Sequence, residues 1–289
     1  MTTIAYLNGE YVPLQEARIS PMDRGFLFGD GIYEVIPSQQ GRMVGFNAHI
    51  ARMMTGLDAL EIKLQKTASD WQALCESLIE RNKQIFSHGN VGLYLHVSRG
   101  VDVKRFHAYP EDIAPTIFGF AFEIASPPVP EPATAKGFRV ALAEDLRWQR
   151  CNIKSTSLLG NVMHFQHGYR SGLNETILYN PRGEVTEASA CNVFVVSKGD
   201  VMTPALDNHL LPGITRQLVI ESMKREGMIV QECTVTLSQL THADEVWLTS
   251  STKEIVPVIE VDGKPVGDGM PGARWQAALT AFNKYKYAL

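Results

Sequence analysis

Hydrophobic and polar positions along this chain switch between a period of two and a helical period, and the switches predict its elements. Ile4-Ala5-Tyr6-Leu7-Asn8-Gly9-Glu10-Tyr11-Val12 reads as a hairpin, because both positions of an Asn-Gly turn tolerate positive φ. A strand follows over 32–36, entered through Gly29-Asp30-Gly31, and Gln39-Gln40-Gly41-Arg42 predicts a second tight turn. Asn47 is a candidate cap for a helix that carries Ile50, Met53, Met54, Leu57 and Leu60 on one face. Ser69 is a candidate cap for another, with Trp71, Leu74, Cys75, Leu78 and Ile79 at helical spacing. From 91 to 97 the apolar residues Val91, Leu93, Leu95 and Val97 alternate with Gly92, Tyr94 and His96, which is strand periodicity. Strands are expected near 138–142, 175–179, 192–196 and 244–248. Helices are expected over about 157–170 and from Ile214 to just before Gly227, a suitable residue beyond a helix end.

Ser126-Pro127-Pro128-Val129-Pro130-Glu131-Pro132 interrupts this pattern. Four prolines in six residues fit neither a helix nor a central strand, so a domain boundary is expected there. The reading is an N-terminal domain over 1–126, a linker over 127–133 and a larger domain over 134–289. Strands dominate the first part and strands mix with helices in the second, which makes the fold class α+β. A length of 289 residues agrees with two domains at about 150 residues each.

Composition narrows the function classes. A formal net charge of -4 argues against a nucleic-acid binder. Cys75, Cys151, Cys191 and Cys233 are too widely spaced for a zinc site, and reduced thiols in the cytoplasm are expected. No metal site is anticipated. The N-terminus lacks the basic and apolar regions of a signal peptide, and no apolar run approaches the ~18 residues of a membrane span. A cytoplasmic location follows by elimination.

Several polar residues stand where chemistry is possible. Lys154 lies between Ile153 and the apolar Leu158-Leu159; a lysine in apolar surroundings loses basicity and becomes nucleophilic toward a carbonyl, although many such lysines merely reach for solvent. Glu187 precedes Ala188-Ser189-Ala190, small residues that leave room for a flat ring, but a surface strand position gives the same pattern. Gly213-Ile214-Thr215 opens a helix, whose free N–H groups suit a phosphate as well as an ordinary capping turn. Ser250-Ser251-Thr252 follows the apolar Val246-Trp247-Leu248 and offers hydroxyls. Arg52, three residues after His49, can pair bidentately with phosphate.

Taken together these segments resemble a known family. Phe28-Gly29-Asp30-Gly31-Ile32-Tyr33-Glu34-Val35, His49-x-x-Arg52, Ile153-Lys154-Ser155, Val185-Thr186-Glu187 with Asn192, and Gly213-Ile214-Thr215-Arg216 occur in the order and spacing of the fold-type IV enzymes that use pyridoxal 5'-phosphate. The resemblance runs from Tyr6 to about Pro271 and implies a two-domain fold with a small N-terminal and a larger C-terminal part. It implies that Lys154 carries the cofactor as a Schiff base and that Glu187 pairs with the pyridine nitrogen. Arg52, Ile214, Thr215, Ser251 and Thr252 would hold the phosphate, and Leu211 would pack on the ring. Ala188 and Pro212 depart from the family pattern, which has glycine and often asparagine there.

Within the family, Arg105-x-His107 on the loop after 91–97 is similar to the carboxylate-binding pair of D-amino-acid aminotransferases, with Tyr33 as its helper. The resemblance then implies a homodimer in which the neighbouring subunit lends Arg105 and His107, and ping-pong transfer from a D-amino acid to a 2-oxo acid such as 2-oxoglutarate. Read alone, Lys104-Arg105 is an ordinary solvated basic loop. A branched-chain or (R)-amine transaminase of the same fold stays open, as does a protein that binds the cofactor without turnover.

Overall fold

A computed structural model describes residues 2–86 and 88–288. Contacts between Cα atoms divide the chain into two units, Met1–Ser126 with Ile153–Leu158, and Pro127–Asn152 with Leu159–Leu289. Residues 153–158, and Lys154 among them, thus group with the first unit although they follow the proline-rich stretch in sequence.

In the first unit β1 (Ile4–Leu7) and β2 (Glu10–Pro13) form the anticipated hairpin, and Asn8 and Gly9 take φ of 49° and 104° at its turn. The helix α1 (Arg24–Phe28) precedes β3 (Gly31–Gln39), which turns through Gln40-Gly41 into β4 (Arg42–Met43). The helices α2 (Phe46–Ala59) and α3 (Ala68–Asn82) come next, then β5 (Asn90–Ser98) and β6 (Thr116–Glu123). The sheet is antiparallel throughout, in the order β2-β1-β6-β5-β3-β4. Ile50, Met53 and Leu57 of α2 and Trp71, Leu74 and Leu78 of α3 share one core with Ile32, Ile36, Leu93 and Leu95 of the sheet. Both caps differ from expectation. Gly45 in the left-handed region starts α2 ahead of Asn47, and no side chain caps it. Thr67 rather than Ser69 caps α3: the Thr67 hydroxyl accepts from the Asp70 N–H and the Asp70 carboxylate accepts from the Thr67 N–H, a reciprocal capping box that starts the helix at Ala68.

In the second unit β7 (Phe138–Glu144), the helix α4 (Leu159–Arg170), β8 (Glu175–Tyr179), β9 (Val185–Ala188), β10 (Asn192–Ser197) and β11 (Asp200–Pro204) follow in turn. Then come α5 (Ile214–Arg225), β12 (Val230–Cys233), α6 (Leu237–Thr241), β13 (Glu245–Ser250), β14 (Glu254–Val261), β15 (Lys264–Pro265) and α7 (Ala273–Tyr285). The sheet runs β12-β11-β10-β13-β14-β7-β8-β9, with β15 on β14 and a mixture of parallel and antiparallel pairs. The helix expected from 157 starts at Leu159. The hydroxyls of Thr156 and Ser157 instead donate to the carbonyls of Gly29, Gly31 and Phe28 in the first unit, which keeps that stretch extended.

Candidate functional site

Residues 153–156 run along β3. Tyr33 N–H donates to the Lys154 carbonyl at 3.1 Å, Thr156 N–H to the Gly31 carbonyl at 2.9 Å, and Ile32 and Ser155 form an antiparallel bridge. Ile153 packs against the first unit's core and anchors this ribbon. The pairing places Lys154 Nζ 3.2 Å from the Tyr33 hydroxyl and 4.3 Å from the centre of its ring. Tyr33 stacks on Tyr94 at 5.7 Å, and the Tyr94 hydroxyl lies 3.1 Å from His96 Nδ1.

On the neighbouring position of β3, Glu34 is fully buried. Arg52 grips its carboxylate with Nε at 2.8 Å and Nη2 at 2.7 Å, and His49 Nδ1 lies 2.7 Å away. Burial alone pushes the Glu34 carboxyl up, but Arg52 and His49 overcome it and hold the pKa at about 2. Burial lowers His49, so it is neutral at neutral pH and donates Nδ1–H to Glu34. Arg52, expected at a phosphate, is therefore a guanidinium set by Glu34.

Arg105 and His107 both stand on the loop after β5, and both are exposed in the single chain. They converge on Phe28: the Arg105 guanidinium is 5.2 Å from the centre of its ring and the His107 ring 5.3 Å.

In the second unit Glu187 lies on β9, whose four residues are all buried, so it is no surface strand residue. Arg147 Nη1 meets its Oε1 at 2.5 Å, while Leu211 N–H donates to Oε2 at 3.1 Å and Asn192 Nδ2 at 3.3 Å. Asp145 in turn holds Arg147 through contacts at 2.9 and 2.7 Å and accepts from the Thr186 hydroxyl at 2.8 Å. Burial pushes the Glu187 carboxyl up to about 7, against the pull of Arg147. Asn192 joins the other residues of this half. Its amide donates to the Leu211 carbonyl at 2.8 Å, and a Cβ on Gly213 would come within 2.0 Å of its Oδ1, so a side chain there would displace the Asn192 amide from this bond. Gly213 is the N-cap of α5 and supplies no side-chain cap, which leaves the first turn, with the buried Ile214 and Thr215, open to an external acceptor. Asn192 also pairs with Thr249 across β10 and β13, and the turn that carries Ser251 and Thr252 begins two residues later.

The sequence pattern passed over Arg147 and Asp145, and gave no role to Glu34, which it included in a motif. Their signal is indirect: a buried glutamate requires a cation, and a buried arginine an anion. Among the described residues no group of His, Cys, Asp and Glu is arranged to hold a metal ion, and no helix is long and apolar enough to cross a membrane.

Residues 31–261 match the family model described as amino-transferase class IV. The chain is 38% identical to a D-alanine aminotransferase of Listeria monocytogenes serotype 4b (strain F2365), over 92% of this chain and 90% of that protein. It is 34% identical to a D-alanine aminotransferase of Staphylococcus haemolyticus over 98% of each. Among solved structures it shares its fold with the branched-chain amino acid aminotransferase of T.th. with pyridoxamine 5'-phosphate (TM-score 0.89, 22% identity, 100% of this chain and 95% of that one). The Escherichia coli branched-chain amino acid aminotransferase is similar to the same degree (TM-score 0.88, 22% identity, 99% and 95%).

Proposed function

This chain belongs to the class IV aminotransferases, which are pyridoxal-phosphate enzymes, and on that premise we propose that it transfers the amino group of a D-amino acid of the D-alanine type to a 2-oxo acid such as 2-oxoglutarate. The observation that carries the choice of substrate is the near full-length likeness to D-alanine aminotransferases, and the Arg105-x-His107 spacing supports it.

The residues fit the cofactor. Glu187 is a buried acid held between Arg147 and two N–H donors, and α5 has an open N-terminus beside the glycine cradle at Gly213. Lys154 would bind the cofactor covalently through Nζ, Glu187 would pair with its ring nitrogen, and Leu211 would pack on the ring. Arg52, Ile214, Thr215, Ser251 and Thr252 would hold the phosphate. When bound, the cofactor supplies the carbonyl carbon at which the amino group is exchanged and a ring that takes up the electrons of the broken Cα–H bond.

The chain's own residues handle the protons. Lys154 Nζ, once free, takes the Cα proton and later returns it. The Tyr33 hydroxyl at 3.2 Å accepts an N–H from this amine and so aims its lone pair. Glu187 keeps a proton on the ring nitrogen, with Arg147 and Asp145 fixing the carboxylate. Arg105 and His107, with Tyr33, bind the substrate carboxylate through charge-assisted hydrogen bonds. In this reading the protein is a cytoplasmic homodimer, its loop serves the site of the second copy, and the two domains divide at the proline-rich stretch.

The test is a half-reaction panel that follows loss of the cofactor's visible absorbance with D-alanine, L-leucine and (R)-1-phenylethylamine. D-alanine should react fastest. A faster L-leucine would establish the branched-chain alternative, a faster amine the (R)-amine alternative, and no reaction with any of the three would leave a cofactor-binding protein without turnover.

A further inference from the structure

Arg24 is a buried arginine that the proposed reaction does not use. It opens α1, the short helix that ends with Phe28. Its Nε lies 2.8 Å from Asp30 Oδ2, and Asp102 Oδ2 is 3.6 Å from Nη1, so two carboxylates face its charge, Asp30 being shared with Arg99. What remains of the fork is directed at the backbone of one loop. Nη1 donates to the Phe106 carbonyl at 2.6 Å and Nη2 to the His107 carbonyl at 3.2 Å.

Those two carbonyls belong to the two peptide planes that flank the Cα of His107. With both planes held, the φ and ψ of His107 are fixed, and so is the direction in which its side chain leaves the chain. Arg105 lies two residues earlier and rests on Phe28, as does His107. Arg24 packs on the same ring, its guanidinium 4.9 Å from the centre. The start of α1 therefore grips the loop's backbone, and the end of α1 supports its side chains.

The base of the grip is itself fixed. Arg99 takes Asp30 bidentately, with Nε at 2.8 Å and Nη2 at 3.0 Å, and donates to the carbonyls of Leu60 and Glu61. Arg24 N–H donates to the Gly100 carbonyl at 2.9 Å. An exposed loop would otherwise sample many conformations, and a binding group on it would lose affinity in proportion to the time spent elsewhere.

We infer that Arg24 is a positioning residue for substrate recognition: it presents Arg105 and His107 to the substrate carboxylate by clamping the loop's carbonyls. This rests on the reading of Arg105 and His107 given above. A guanidinium is required because one planar fork reaches an acid and two carbonyls at once. A lysine keeps the charge beside Asp30 but cannot span both carbonyls.

The test uses the cofactor-loaded enzyme and the variants Arg24→Lys and Arg24→Gln, with Arg105→Ala as reference. Either Arg24 variant should raise KM for D-alanine by at least about tenfold while kcat stays within about threefold. Combined with an Arg105→Ala/His107→Ala double variant, Arg24→Lys should add no further rise in KM, because both groups that the loop presents are already gone. A fall in kcat at unchanged KM, or fully additive losses, would overturn the inference, as would failure of both Arg24 variants to yield folded, cofactor-loaded protein. If Arg105→Ala raises KM and the Arg24 variants do not, this inference alone fails. If Arg105→Ala leaves KM unchanged, or the parent enzyme does not use D-alanine, the reading of the loop fails and this inference with it.

Discussion

Burying Glu187 makes its charge costly, and Arg147 at 2.5 Å offsets part of that cost. Its pKa rises from the ordinary 4.5 to about 7, so between those values the folded apoprotein keeps a proton that the unfolded chain has released. Stability then falls as the pH rises through that window. Glu187→Gln cannot titrate. Relative to the parent, its Tm without cofactor should therefore climb as the pH goes from about 4.5 to about 7. Thermal melts of both apoproteins across that range measure this, and parallel curves would show that Glu187 is already ionised throughout. At this scale the motifs singled out Lys154 and Glu187 as candidates, because both carry a characteristic neighbourhood in sequence. Arg147 and Asp145 were not legible: their role exists only because β9 is buried and brings Glu187 to them, and no local pattern records that. Arg52 was legible as a phosphate candidate, but its bidentate hold on Glu34 was hidden in the spacing between β3 and α2.

The alternation of β5 could be read from the sequence, and β3 and β8 were expected as strands near 32–36 and 175–179, whereas β14 was not, with Pro257 inside it. The proline is tolerated because only β13 pairs with β14 there; β7 joins from Val258 onward, so no neighbour on that side needs the missing N–H. The first residue of β14, Glu254, is equally irregular. It takes a φ of 56° although it is not glycine, and its buried carboxylate meets Lys286 Nζ at 2.6 Å just beyond the end of α7. The end of α7 thereby pins the turn at 251–253, the segment proposed to hold the phosphate. Lys286→Met removes this ammonium from a buried carboxylate, a loss on the order of 3–5 kcal/mol. A lower Tm and faster loss of cofactor on dialysis should follow, with partial recovery of both when Glu254→Gln is added, since neither charge is then left alone. A Lys286→Met protein as stable as the parent would show that the pair contributes little.

For the molecule as a whole, the proposed chemistry is divided between residues that one chain need not supply to the same site. Lys154 and Tyr33 are joined within the first unit by the ribbon along β3. Arg105 and His107 stand exposed on a loop that α1 supports from beneath. An exposed pair held this firmly suits presentation to a second copy, whose site would gain a carboxylate anchor that its own loop gives away in return. Such an exchange makes activity a property of the dimer, and complementation detects it. An Arg105→Ala chain retains Lys154 but lends no anchor, and a Lys154→Ala chain lends the anchor but has no base. Co-expressed with separable tags and isolated as the mixed dimer, the two should form one site holding both residues and one holding neither. D-alanine turnover per mixed dimer should be about half that of the parent, whereas the Lys154→Ala dimer is inactive and the Arg105→Ala dimer is at least about tenfold lower in kcat/KM. If the anchor instead serves its own chain, every site of the mixed dimer lacks one of the two residues, and its activity should not exceed that of Arg105→Ala.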